Sequence, residues 1–385
     1  MRQAKHGASQ LPQRLSQMDG LRGVAMLFVF MGHFAAVWHE LVHPQGAAGF
    51  FLRVVDADAT FGSSFFMLLS AFFVYGSRMR ARKTFREFLV GRLWRLYPLY
   101  VLITGIYLTG CFLIPHMSKI PADRHNASLF VLENLLFLPG LLPVQPLIDV
   151  AWTLSFVVYF YFVEALLAWI FQFAGVSRGR RIALLSACCI LWIVLCATRG
   201  WWEYRTGLFW VGMIVWEIVD EVSSKHAAWA VRITRPATVI VALGVVGRTV
   251  LMLKSPNTGI IPLTLCRTII TAITLSAFLW IAYFGPVWWK GLLSSDHLRR
   301  LGAASYSFYL THGFAIKAFR FGVIPWLGSA AQLTVVFWMG QVVGLIASVA
   351  IAVGVHKLVE QPLANLASAY FRSPKRGIQE RPIAA

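Results

Sequence analysis

About ten stretches of roughly 20 mainly apolar residues recur along this chain, and a helix of that length spans the hydrocarbon core of a bilayer. They run near residues 21–38, 59–77, 96–115, 149–171, 182–199, 204–222, 236–254, 259–285, 301–323 and 331–358. The first is short, and the eighth carries Arg267. Only 13% of the residues are charged and 58% are hydrophobic, where a soluble domain carries about 25% charged residues. The expected fold is therefore all-α and polytopic, with 15 Trp and 29 Phe supplying lipid-facing and interfacial aromatics.

Charge tests the count independently. The net charge of +19 suggests nucleic acid only for a soluble protein; in a membrane protein Lys and Arg collect in cytoplasmic loops. With the N-terminus inside, the cytoplasmic set holds Arg2, Lys5 and Arg14, then the dense run from Arg78 to Arg95, then Arg178, Arg180 and Arg181. Lys225, Arg232, Arg235, Lys290, Arg299, Arg300, Arg372, Lys375, Arg376 and Arg381 complete it. The opposite set has only Arg53, Lys119, Arg124, Arg199 and Arg205. Ten spans with both ends cytoplasmic satisfy this alternation, and an odd number breaks it. The expected organisation is a basic tail over 1–15, one membrane domain over 16–365 and a second basic tail over 366–385. The first apolar run has no clear cleavage site and reads as an uncleaved helix. The five cysteines lack CxxC spacing and neighbouring ligands, so they read as small packing residues, with no metal and no disulfide expected.

Polar residues inside such spans are expensive and mark function by default. In "MDGLRGVAMLFVFMGHF" (18–34), Arg22 and His33 are eleven residues apart, so they share a helical face within roughly 20° and stand about 16 Å apart along the axis. Asp19 falls within about 40° of that stripe. Arg22 alone reads first as a topology anchor; an imidazole in mid-membrane suits a general base. In "FLVGRLWRLYPLY" (88–100), Arg92 and Arg95 project from one face as a fork suited to phosphate, or serve topology. "WTLSFVVYFYFVEALL" (152–167) embeds Glu164 beside Trp152 and Tyr161. "SYSFYLTHG" (305–313) brings Ser305, Tyr306, Tyr309 and a second imidazole, His312, which reads as structural or functional. Glu360 in "VEQP" reads as solvated or as capping an interfacial turn.

Taken together, these stretches resemble the acyltransferase-3 family of integral membrane acyltransferases, over about Asp19 to Pro362. Arg22 and His33 match its Arg-x10-His, Arg92 and Arg95 its Arg-x-x-Arg, and residues 97–100 its Tyr-Pro-x-Tyr. "GSSFFMLLSAF" (62–72), "NLLFLP" (134–139), "WTLSFVVYFY", "SYSFYLTH" and "VEQP" follow in the family's order. Three positions depart from it. The resemblance leads one to expect Glu where this chain has Val157, Asp at Ser64 and Gly at Ala71. Glu164 lies about 10 Å further along the helix axis than Val157, too far to stand in simply.

The resemblance implies an enzyme of the bacterial inner membrane that transfers an acyl group, acetyl above all, from cytoplasmic acyl-CoA to a hydroxyl. The implied acceptor is an envelope glycan or exopolysaccharide, with a polysaccharide synthase or export complex as a partner. Arg92 and Arg95 would meet CoA phosphates, and Arg22 would line the route. His33 would act as general base or as an acyl-histidine relay. Asp19, Trp152, Tyr161, Glu164, Ser305, Tyr309 and His312 would support or face the acceptor. Acyl-CoA enters as substrate, and no bound cofactor is expected. Two rivals are a proton-coupled transporter and a membrane subunit without catalytic activity.

Overall fold

The computed structural model describes residues 4–42, 46–81, 84–199, 203–254, 261–326 and 330–372. Among them the chain is helical, and the one extended pairing is an isolated bridge between Pro139 and Leu142. The first half contains α1 (Ala4–Val42), α2 (Gly46–Ala57), α3 (Ala59–Ala81), α4 (Phe85–Leu113), α5 (Arg124–Leu135), α6 (Ala151–Ile170) and α7 (Arg178–Arg199). Next come α8 (Leu208–Lys225), α9 (Ala227–Arg232), α10 (Thr234–Lys254), α11 (Ile261–Phe284), α12 (Val287–Leu293) and α13 (Asp296–Ala303). The bundle ends with α14 (Ser305–Gly322), α15 (Ala330–Val355), a π-turn over His356–Glu360 and α16 (Gln361–Arg372).

Eight segments of the described residues are long and apolar enough to cross a membrane: Gln17–Trp38, Gly49–Ala81, Phe85–Leu113, Ala151–Ile170, Arg178–Thr198, Thr234–Lys254, Pro262–Phe284 and Val335–Leu366. The other two expected spans, 204–222 and 301–323, overlap the 18-residue helices α8 and α14. Both carry polar groups into the bundle. α8 carries Glu217 and Asp220, and α14 is buried without a break from Ser305 to His312. A helix enclosed by others need not be apolar all round. The stretch read as an N-terminal tail is helical from Ala4 onward, and helix continues to Arg372 at the other end. Arg2, Arg82, Lys83 and residues 373–385 lie outside the described residues.

Helix positions follow from sequence. α1 buries Leu21, Ala25, Phe30, Phe34 and Trp38, a helical stripe facing the core. α4 starts at a capping box, in which the Thr84 hydroxyl accepts from the Glu87 amide at 3.3 Å and Glu87 Oε2 accepts from the Thr84 amide at 3.2 Å. α10 leaves Val239, Leu243 and Val246 exposed, the signature of a face meant for lipid. The loop "NLLFLP" is pinned by Asn134, fully buried, which donates to the carbonyls of Phe130 (2.9 Å) and Gln145 (3.2 Å) and accepts from the Leu147 amide (2.8 Å).

The closest helix approach joins α1 to α12 and α13. A Cβ built on Gly20 would stand 1.8 Å from the Leu293 carbonyl oxygen, and one on Gly302 would stand 1.7 Å from that of Asp19. Backbones touch here because the side chains are absent, as small residues permit in membrane helix pairs. This contact fixes the height of Asp19 and Arg22 in the bundle. Gly302→Leu should therefore cost about 1–3 kcal/mol through overpacking, read as a lowered thermal midpoint in detergent. Gly91→Ala, with nothing within 4 Å, should leave that midpoint in place. Equal midpoints for both variants would remove the contact from the account.

Candidate active site

The basic end of the bundle holds the densest charge. α1, α3, α4 and α8 enclose a vestibule of about 420 Å³ there, lined by Arg22, Arg80, Arg92, Arg95, Phe73 and Trp216. It shares Arg22, Arg92 and Arg95 with a narrow throat of about 60 Å³. The throat passes Tyr161 and Ser305 and reaches Thr153 and Tyr309. Arg22 pairs with Asp19 at 3.2 Å, the pairing that helical spacing favours over tautomer control, and lies 4.3 Å over the Phe73 ring. Arg92 donates to the Ser77 hydroxyl at 2.6 Å and lies over the Phe88 and Tyr161 rings. Arg22, Arg92 and Arg95 thus meet where vestibule and throat join; Asp19 is bonded to Arg22, and Asp220, paired with Arg80 and Arg178, also lines the vestibule.

The far limit of the throat is polar and rigid. Tyr309 hydrogen-bonds with the Thr153 hydroxyl and donates to the Val150 carbonyl, while Tyr306 donates to the Leu96 carbonyl at 2.6 Å. One turn beyond Tyr309 is His312, fully buried, with Nδ1 3.0 Å from the Phe308 carbonyl. Its Nε2 is buried with no hydrogen-bond partner among the described residues. The His33 ring is 5.3 Å from it, centroid to centroid.

His33 differs from expectation in one respect. It lies on the packed face of α1, between Met26, Val29 and Phe30, all buried, yet its own side chain is exposed. The enclosed imidazole is His312. Beyond His33, at the far end, the Asp149 carboxylate is near enough to act electrostatically on the His33 ring. Asp149 is bonded by Lys119 and by Lys317, the latter at 3.0 Å. Burial alone would raise the Asp149 pKa, but those two ammonium groups hold it below the usual carboxylate range.

The other carboxylates are structural. Glu164 is buried away from the throat and paired with Arg78 at 3.0 Å. It does not replace the missing glutamate at Val157, which lines the throat itself. Trp152 packs beneath the Arg205 guanidinium at 5.2 Å. Glu360, expected to be solvated or capping, is buried instead, 2.6 Å from the Ser307 hydroxyl and 2.9 Å from His356 Nδ1. The π-turn that carries it rotates the side chain into the bundle. Of the candidates, Arg22, Arg92, Arg95, Tyr161, Ser305 and Tyr309 share the throat, His33 and His312 adjoin its far limit, and Glu164 and Trp152 serve other contacts. Sequence reading missed Thr153, Asp149 and Arg78; the first two carry no signal beyond a helix start. No group of three or more His, Cys, Asp or Glu among the described residues is arranged to hold a metal.

A family model described as an acyltransferase domain, that of acyltransferase-3, matches residues 15–357. The chain belongs to this family. It is also 31% identical, over 139 residues, to "Protein 2 in picA locus" of Rhizobium radiobacter. That match covers 34% of this chain and 66% of the relative, just under two thirds of its length. No solved structure matches the chain. This member of the acyltransferase-3 family thus combines eight segments apolar enough to cross a membrane, among the described residues, with a basic passage at one end.

Two outcomes follow from these ion pairs. Arg78→Ala strands the Glu164 carboxylate and should cost about 3–5 kcal/mol, and adding Glu164→Gln should recover most of the lost thermal midpoint. A double variant no more stable than the single one would contradict the pairing. For Asp149 the folded-state pKa is depressed, so its contribution is present above the usual carboxylate range and is lost as pH falls through the lowered value. The parent should lose more of its thermal midpoint than Asp149→Asn between pH 5 and pH 3, the difference staying below about 1 kcal/mol for so exposed a pair. Parallel losses would show that Asp149 contributes nothing.

Proposed function

We propose that this acyltransferase moves an acetyl group from cytoplasmic acetyl-CoA to a hydroxyl of an envelope glycan or exported exopolysaccharide at the bacterial inner membrane. The observation that carries this reading is the shape and charge of the passage. A vestibule of about 420 Å³ suits a nucleotide head, and guanidiniums pair with phosphate bidentately. The throat of about 60 Å³ is too small for a sugar and suits the thin thiol end of an extended pantetheine arm. It leads toward His312 and His33, where the thioester would lie.

On this reading α8 and α14 also cross the membrane, which makes ten spans with both termini cytoplasmic and puts the basic end inside. The acceptor hydroxyl approaches His33 from the far end. Its oxygen attacks the thioester carbonyl carbon, His33 takes its proton, and the carbon–sulfur bond breaks to release CoA thiolate, which is then protonated. The unpartnered Nε2 of His312 is a ready partner for an oxygen at that point. In the relay form, His33 itself accepts the acetyl group before the acceptor does. Family membership supports this over a proton-coupled carrier, and no observation favours a subunit without activity.

The test compares the parent with His33→Ala at matched membrane levels. Ester formed on envelope glycan and labelled acetyl-CoA consumed in vesicles should both fall by about 10²–10⁴ if His33 is the base. Acid-quenching the parent with labelled donor and no acceptor separates the two forms: label retained on the protein, and absent from His33→Ala, identifies the relay. Unchanged ester formation in a folded His33→Ala protein would sink the reading.

A further inference from the structure

At the far end of the bundle lies a second polar pocket, about 140 Å³, that the acyl-transfer passage does not use. It sits where α3 begins, where α10 ends, along the first half of α11, and beside the turn before α8. Thr60 and Ser77 mark the two ends of α3, 17 residues and about 25 Å apart, so the pocket and the basic vestibule open at opposite ends. Three guanidiniums converge on it: Arg205, Arg248 and Arg267.

Each is held in place. Arg248 is buried, bonded to Asp58, to the Thr60 hydroxyl at 2.6 Å and to the Thr271 hydroxyl at 3.2 Å. Arg205 grips Glu203 with two bonds, 2.6 and 2.7 Å. Arg267 donates to the Leu251 carbonyl at 3.3 Å. Arg205 and Arg267 stand near enough to Arg248 to repel it, and charge repulsion in so enclosed a space is strong. Hydroxyls of Ser64, Thr264 and Thr268 complete the walls. Tyr204 also lines the pocket and is 4% exposed; its hydroxyl finds no hydrogen-bond partner among the described residues. A buried donor without an acceptor is unfavourable, so an incoming acceptor oxygen is favoured there. Three converging guanidiniums, a wall of hydroxyls and a buried donor without a partner among the described residues together ask for an anion with several oxygens.

The pocket also touches the reaction path. Arg205 lies 5.2 Å over the Trp152 ring, and the next residue, Thr153, hydrogen-bonds with Tyr309 at the head of the throat. We propose that this pocket anchors an acid group of the acyl acceptor, a sugar carboxylate or phosphate, so that a hydroxyl further along the acceptor reaches His33. The volume admits an acid group and part of one ring, not an oligosaccharide. The proposal rests on the acyltransferase reading for what the ligand is, and on the pocket alone for its charge.

The full-length protein in phosphatidylcholine nanodiscs would be titrated with a galacturonate trimer, with glucose 1-phosphate and with a neutral glucose trimer, binding being read by calorimetry. One or both acid sugars should bind at least tenfold tighter than the neutral one, with affinity falling as salt rises. Which of them binds tells carboxylate from phosphate. Tyr204→Phe and Arg267→Gln, checked for folding by thermal midpoint, should each weaken that binding about tenfold, or about 1.4 kcal/mol. His33→Ala should still bind the acid sugar, so failure of the acyl-transfer reading would leave this result standing. Equal affinity for charged and neutral sugars would overturn the proposal. So would binding indifferent to Arg267→Gln, or stabilisation by phosphatidylglycerol nanodiscs with no sugar binding, which would make the site a lipid headgroup site.

Discussion

A charge carried into a bundle surrounded by lipid has to be met inside the bundle, and this constraint organises the interior. Glu217 shows the full solution. It is fully buried on α8 and accepts from the Tyr75 hydroxyl at 2.5 Å, from Arg181 at 2.5 and 2.9 Å and from Arg178 at 3.1 Å. That one carboxylate ties α3, α7 and α8 together at the basic end. Glu164 with Arg78 does the same for α3 and α6, and Glu360 with Ser307 and His356 ties α14 to the π-turn. Each costs desolvation that only a complete set of partners offsets, so each specifies which helix lies beside which.

Against that background the throat and the far pocket stand out, because guanidiniums cluster there. Arg22, Arg92 and Arg95 line the throat, with Asp19 bonded to Arg22; Arg205, Arg248 and Arg267 line the far pocket, with Glu203 bonded to the first and Asp58 to the second. That clustered charge is matched by what the proposed substrates bring: phosphates at one end, an acid group at the other.

Much of this was legible in the sequence, for reasons that differ between residues. Long apolar runs and loop charge are strong, local signals, so α1, α3, α4, α6, α7, α10, α11 and α15 stand where composition puts them. α8 and α14 lie in stretches whose composition also reads as spans, yet neither is among the eight segments apolar enough to cross by that measure, since an enclosed helix can carry polar groups. Arg92 and Arg95 share the throat because three-residue spacing fixes a common face in any helix. Pairings across the fold had no such signal: Arg78 meets Glu164 over 86 residues, and Arg248 meets Asp58 over 190. Nothing local distinguishes Glu360 as buried either; the π-turn shifts its phase, and helical spacing alone misses that shift.

Two of the three departures from the family pattern, Val157 and Ser64, fall at informative places. Val157 lines the throat where a glutamate was expected, so the donor passage here has one carboxylate fewer to oppose its guanidiniums. Ser64, where an aspartate was expected, lines the far pocket beside Arg248. A carboxylate there would neutralise the charge that makes the pocket suited to an anion. Replacing an acid by a hydroxyl at 64 converts a balanced polar contact into a receptive one without disturbing α3, since Ser64 is buried and small. On the proposed reading, acceptor choice is set at the end of the bundle away from the thioester, and the histidines between the two ends serve whichever hydroxyl that anchor presents.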